Sequence, residues 1–416
     1  MITSVAASHA KGKFATDRIF GANAAANRAA AKYGKENVVN ATIGVLLDNE
    51  EKLVCLPTVE KVYHSVPMTE VVNYAPIAGV PEYLEAAIDL TFFDQRPDAY
   101  IKAVATAGGS GAIHHVVWNY SEIGDTLLTA DWYWAPYKVL CEDALRKLDT
   151  FPLFDADQNF NVQGFAAKVT DLLAKQNNLV VFMNMPAHNP TGYSLTDEEW
   201  AQALGVCKEQ AKNQDKRIIV VVDAAYIDYA GEKNACRSFM KQFGGLPANI
   251  LVIIASSLSK SYTLYGQRVG AMIGVTSSQE IAKEFEDINQ YTSRATWSNI
   301  NRGVMRMAAM IYQDKGLLAQ VEAERNGYYK LIQERAGLFA REAQEVGLKM
   351  LPFKAGFFLS IPSQKSEAVC EKLYEENVFA VALPKGIRIA VCAVPTRKMA
   401  GMAAKIVKAK AAVGDE

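Results

Sequence analysis

Lys260 follows a cluster of hydroxyl residues, Ser256-Ser257-Leu258-Ser259, which itself follows the apolar run Ile250 to Ala255. A lysine at the exit of a hydrophobic strand loses hydration, so burial lowers its pKa and leaves part of it as a neutral amine. Such an amine can form a Schiff base with an aldehyde. Ser257 and Ser259, with Arg268 eight residues beyond the lysine, suit an anionic group such as phosphate. An aldehyde and a phosphate on one molecule suggest pyridoxal 5′-phosphate. A surface lysine after a strand carries the same short pattern, so the rest of the chain has to decide.

Asp223 comes immediately after the five apolar residues Ile218 to Val222. Burying a carboxylate there is costly unless a cation pairs with it, and no adjacent basic residue supplies one. A protonated pyridine nitrogen would, and holding it protonated makes the ring an electron sink. Tyr226 is within reach of the same ring's phenolic oxygen. The alternative is a carboxylate that caps the next helix. Asn189, in Asn-Pro-Thr-Gly, is either a donor to that oxygen or part of a turn. Gly109 and Ser110 lie in Gly-Gly-Ser-Gly-Ala, where a strand passes into a helix. Backbone N–H groups at a helix N-terminus favour phosphate, although permissive turn residues look the same. Trp134, in Asp-Trp-Tyr-Trp, offers a flat face to a heteroaromatic ring or a core side chain. Arg388, alone in the apolar stretch Gly386 to Val391, suits either a bidentate carboxylate or an internal salt bridge. His114 and His115 have no cysteine or third histidine nearby and read as packing residues, so no metal site is expected.

The elements that must position these residues form an alternating pattern. Largely apolar runs at 101–106, 126–130, 179–184, 218–222, 250–255 and 269–275 are short and mostly β-branched. Continuous apolar runs of this kind are strands buried on both faces, which predicts an α/β fold with a mostly parallel sheet covered by helices. Thr196-Asp-Glu-Glu199 is a capping box ahead of a helix over 200–210. Ligands in such folds bind beyond the carboxyl ends of the strands, where these candidate residues fall. Residues 1 to about 15 read as an arm, 21–33 as a helix, 38–45 as extended, and 83–93 as a helix opened by Pro81. A long helix over 316–347 leads to extended 349–361, helix 366–377, extended 387–394 and helix 396–411. The expected organisation is a large unit, 50–315, and a smaller one from 1–49 and 316–416.

Composition narrows the partners. The 44 Lys and Arg nearly balance the 45 Asp and Glu, which gives no electrostatic reason to expect nucleic acid or an anionic membrane. The six cysteines are scattered without a C-x-x-C pair, as expected of reduced thiols in a cytoplasmic protein. No apolar run approaches the roughly 18 residues needed to span a membrane.

Together the motifs resemble the fold-type I pyridoxal-phosphate enzymes, specifically the class I aminotransferases of the aspartate and aromatic group, over about Asn40 to Val394. The resemblance implies that Lys260 is the Schiff-base lysine and Asp223 the pyridinium partner, with Asn189 and Tyr226 on the ring hydroxyl and Trp134 stacked on the ring. It assigns phosphate contacts to Gly109, Ser110, Ser257 and Arg268, and the substrate α-carboxylate to Arg388. It further implies a homodimer with shared sites. Tyr74 would reach the neighbouring subunit's phosphate, and Arg294 would cross to a dicarboxylate's distal group. Gly44 would lie on a mobile segment over the substrate. Tyr137 stands where the aspartate enzymes often have histidine, and the turn reads Ala-His188-Asn-Pro. The implied activity is transfer of an amino group from aspartate, glutamate or an aromatic amino acid to a 2-oxo acid. A carbon–sulfur β-lyase on the same scaffold is the alternative.

Overall fold

The computed structural model describes residues 4–14 and 18–415; positions 1–3 and 15 of the expected arm lie outside them. The described part of the arm, 4–14, has neither helix nor strand and is exposed. In chain order the strands are β1 (Val39–Asn40), β2 (Tyr100–Thr106), β3 (Thr126–Ala130), β4 (Lys147–Phe151), β5 (Asn178–Met183), β6 (Arg217–Asp223), β7 (Ile250–Ser257), β8 (Gly270–Thr276), β9 (Phe358–Pro362), β10 (Val378–Phe379), β11 (Val381–Leu383) and β12 (Gly386–Ala390). Seven of them make one sheet in the order β2-β8-β7-β6-β5-β3-β4. All its pairings are parallel except those of β8, which runs against both β2 and β7. The reversed strand therefore begins, just after Arg268, at the edge where β2, β3, β5, β6 and β7 end.

Both faces of this sheet are buried, which explains the unbroken apolar runs. Ile218, Val220 and Val222 of β6 join the core on one side, and Ile219 and Val221 join the core on the other. Each such side chain contributes about 1.5–3 kcal/mol on burial. Strand β4 departs from expectation. Its sequence, Lys-Leu-Asp-Thr-Phe, is polar because it is an outer strand whose residues are mostly half-buried.

The remaining strands form two small sheets. β1 pairs parallel with β10, and β12 lies between β11 and β9 with Arg388 opposite Ser360 and Val381. The extended stretch expected at 349–361 is a strand only over Phe358–Pro362, since Pro352 and the left-handed Gly356 (φ 98°) interrupt it. The helix expected over 396–411 is a short 3-10 turn at Thr396–Lys398 and then a helix Met402–Val413. Gly401, at φ 82°, separates the two. The long connecting helix runs Lys315–Glu345, with the Asp314 carboxylate capping it by accepting from the Gly316 and Leu317 N–H groups.

The capping box is present at the helix Asp197–Gln210. The Thr196 side chain accepts from Glu199 N–H, and Glu199 accepts from Thr196 N–H. Glu199 also accepts from the Phe160 N–H at 2.8 Å and the Tyr193 hydroxyl at 2.5 Å. Thr196→Ala should therefore cost about 1 kcal/mol of stability in urea unfolding. Glu199→Ala should cost at least about twice that, because it also strands buried donors. Equal losses would show that only the cap matters.

Candidate active site

Strand β7 delivers the chain into the short helix Leu258–Ser261, with the Ser257 hydroxyl accepting from Ser259 N–H at 3.1 Å as its cap. Lys260 is thereby held with its ammonium 4.7 Å from the centre of the Tyr265 ring and 5.8 Å from that of Tyr226. Burial lowers its pKa to about 8, with Arg268 and Arg388 adding repulsion while Cys392 and Asp223 oppose the shift. The side chain is only partly exposed.

Asp223 ends β6 and is 6% exposed. Its Oδ2 accepts the Tyr137 hydroxyl at 2.6 Å, and its Oδ1 accepts the Ala225 N–H at 3.3 Å. Burial pushes the carboxyl above its usual range, and these hydrogen bonds and Lys260 pull against it. Among the described residues, no lysine or arginine forms an ion pair with Asp223 within 4 Å. Tyr137, which the sequence marks only as a departure from a familiar pattern, is fully buried against Phe182, with ring centres 4.6 Å apart. Trp134 packs edge-on to Tyr137 at 5.4 Å.

A chain of polar contacts runs from Asp223 to Arg388. The Asn184 amide donates to the Asp223 carbonyl at 3.0 Å, and its Oδ1 accepts the Asn189 N–H at 2.7 Å. Asn189 donates to the Tyr226 hydroxyl at 3.4 Å and accepts from Arg388 at 3.4 Å. Arg388 also donates to the Thr42 carbonyl at 2.6 Å, and its guanidinium lies 4.2 Å over the Phe358 ring. Asn184, the last residue of an apolar run, carries no local signal of this role. Gly44 is needed for the same arrangement, because a β-carbon there would stand 2.5 Å from the Phe358 ring.

Across the sheet, Arg268 adopts a left-handed backbone (φ 55°) and donates to the Tyr265 carbonyl at 2.8 Å and the Ser259 hydroxyl at 3.4 Å. A β-carbon on Gly108 would fall 2.8 Å from its guanidinium, and one on Gly109 would fall 3.7 Å from the Ser257 β-carbon. The guanidinium thus faces the first turn of the helix Gly108–Asn119, which has no side-chain N-cap. The first-turn N–H groups, Ser110 included, need an acceptor that helix geometry cannot provide. An uncapped helix start, an arginine and a serine suit a phosphate, and a buried carboxylate without an ion pair suits a protonated ring nitrogen. The residues present fit pyridoxal phosphate.

Other candidates lie apart. Tyr74 is 83% exposed, and its carbonyl accepts from Arg302. Arg294 is exposed in the last turn of the helix Gln279–Thr296 and donates to the Ser298 hydroxyl. The acidic residues nearest it in sequence are engaged elsewhere, Asp287 with Lys283 and Glu286 with Lys102. His115 stacks on Trp297 at 4.3 Å, and burial lowers its pKa to about 3. His188 is also held near 3 by burial and bonds Thr191 at 2.8 Å, so it is a neutral part of the turn.

The family profile for aminotransferase class I and II matches residues 36–406. The chain belongs to that family. An aminotransferase from Anaerococcus prevotii superposes with a TM-score of 0.95 at 36% identity, covering 97% of this chain and 99% of that one. The aspartate aminotransferase of Escherichia coli K12 is 26% identical over 355 residues, 83% of this chain and 87% of that protein. An aromatic-amino-acid aminotransferase from Burkholderia pseudomallei, covalently bound to pyridoxal phosphate, superposes with a TM-score of 0.78 at 25% identity, covering 97% and 100% of the two chains. The protein is a pyridoxal-phosphate-dependent aminotransferase with a fold-type I architecture. Among its described residues, no helix is long and apolar enough to cross a membrane.

The lowered pKa makes a prediction for this aminotransferase without its cofactor. An amine-directed reagent should label Lys260 with a midpoint near pH 8, below the 10.5 of an ordinary lysine side chain. The sign follows from burial, since the neutral amine prevails above the midpoint. Co-titration of Lys260 with the other lysines would contradict it.

Proposed function

We propose that Lys260 carries the cofactor and that Asp223 faces its ring nitrogen, with Tyr226 and Asn189 at the ring oxygen and Trp134 against the ring face. The phosphate is assigned to the helix start at Gly109 and Ser110, with Ser257 and Arg268. The observation that carries this reading is the contiguous polar path Asp223–Asn184–Asn189–Arg388, with a partly neutral lysine beside it. When bound, the cofactor supplies an electron sink for the charge left when a Cα–H bond breaks. The protein's part is positional. Arg388 holds the substrate α-carboxylate, already braced by Thr42 and Phe358. Once the substrate's amino group has displaced it from the cofactor, the freed Lys260 amine, with its pKa lowered to about 8, would serve as the base that takes the proton from Cα. Fixing base and substrate together removes much of the entropic barrier. Asp223, braced by Tyr137, keeps the ring nitrogen's proton in place.

The proposed organisation is a large unit over 50–315, which contains the whole seven-stranded sheet, and a smaller unit from 1–49 and 316–416, which contains β1 and β9 to β12. A homodimer is proposed because Tyr74 and Arg294 are exposed and contact Arg302 and Ser298 rather than the residues of the cluster. Met68, Val71, Val72 and Ile77 near Tyr74 are exposed apolar side chains that a second copy would cover. A cytoplasmic setting is consistent with six cysteines that are all free.

The substrates proposed are dicarboxylic amino acids with 2-oxo acid acceptors, aromatic amino acids being the second class. Support comes from Arg294, which is exposed and lacks an acidic partner among the described residues, leaving a bidentate donor for a distal carboxylate. With 2-oxoglutarate as acceptor, Arg294→Leu should lower kcat/KM for aspartate by about a hundredfold, comparable to loss of a charge-assisted pair. Phenylalanine turnover should persist or improve. Equal effects on both donors, or none, would remove Arg294 from side-chain recognition.

A further inference from the structure

Tyr265 touches three parts of the site at once. Its backbone carbonyl accepts the Arg268 guanidinium at 2.8 Å. Its ring lies beneath the Lys260 ammonium, 4.7 Å from ring centre to nitrogen. Its hydroxyl oxygen accepts the Leu46 N–H at 2.9 Å. Burial pushes its phenol well above the ordinary range, so the hydroxyl stays neutral at every working pH.

The third contact reaches a distinct piece of chain. Residues 42–49 run against Arg388 and Phe358, at Thr42 and Gly44, and are fastened by further contacts. Arg388 donates to the Thr42 carbonyl at 2.6 Å, and Leu47 N–H donates to the Cys392 carbonyl at 3.0 Å. Arg335, fully buried on the long helix, donates to the Leu47 carbonyl and the Asn49 side chain, each at 3.0 Å. These contacts join the segment to β12 and the long helix. The Tyr265–Leu46 bond joins it to the loop that follows Lys260 in the large sheet.

We infer that Tyr265 is a positioning residue that couples the Lys260 loop to the segment 42–49 and so sets where that segment lies over bound substrate. The inference rests on the assignment of Lys260 as the cofactor lysine. A neutral phenol suits the task, because it can accept the Leu46 N–H while its ring packs flat beneath the lysine. Phenylalanine keeps the ring and removes only the acceptor, leaving the buried Leu46 N–H without its partner.

Tyr265→Phe separates this role from a merely structural one. Hydrogen–deuterium exchange, followed on a peptide spanning 43–48 of the purified chain, should be about fivefold faster at the Leu46 amide than in the parent, as expected for loss of one hydrogen bond worth about 1 kcal/mol. KM for the amino donor should rise about five- to tenfold, with kcat at saturation within about twofold. The Lys260 labelling midpoint should stay near pH 8. Unchanged exchange at Leu46 would overturn the inference, and so would a fall in kcat at unchanged KM. Exchange does not depend on bound cofactor, so it reports on Tyr265 even if the cofactor proves to be attached to a different lysine.

Discussion

Burial of the Asp223 carboxylate at the end of β6 is the constraint on which the site depends. A charged carboxylate removed from water is destabilising by several kcal/mol unless hydrogen bonds and a cation compensate. The chain itself provides a 2.6 Å hydrogen bond from Tyr137 and a weaker one from the Ala225 N–H. Tyr137 is in turn held by Phe182 and Trp134, so strand β5 and the loop after β3 are both committed to keeping that hydroxyl in place. A protonated ring nitrogen is the cation proposed to complete the arrangement. The same burial that raises the Asp223 pKa lowers that of Lys260, and the two groups are close enough that each opposes the other's shift.

Asp228, five residues further on, shows what an ordinary structural carboxylate looks like here. Burial works against its charge too, but Arg325 and Arg237 hold its carboxyl below the usual range. Arg237 reaches it at 2.6 Å and Arg325 at 3.3 Å, and Arg325 also contacts the Ser261 carbonyl beside Lys260. Asp228 is thus neutralised from within the chain, whereas Asp223 has no such ion pair among the described residues and is the one proposed to face a ligand. The long helix that supplies Arg325 also supplies Arg335, so it braces both the lysine helix and the segment 42–49.

Much of this was legible in the residues alone. The apolar runs located six strands of the large sheet because those strands are buried on both faces, the motifs at their ends marked Lys260, Asp223 and Asn189, and the lone arginine of a separate apolar stretch marked Arg388. Strand β4 escaped because an outer strand needs no continuous apolar run. The break at 349–361 comes from Pro352 and the left-handed Gly356, and that at 396–411 from the left-handed Gly401. Asn184, Tyr137 and Tyr265 act through contacts 39, 86 and 219 residues away in sequence, which no local spacing reveals.

The most direct test of the account is to fix the cofactor chemically on the protein and find where it sits. The holoenzyme, reduced with borohydride and digested, should yield one modified peptide carrying the cofactor's mass on Lys260, and Lys260→Ala should yield none. Recovery of the label on any other lysine, or undiminished labelling of the Lys260→Ala protein, would contradict the assignment of the site.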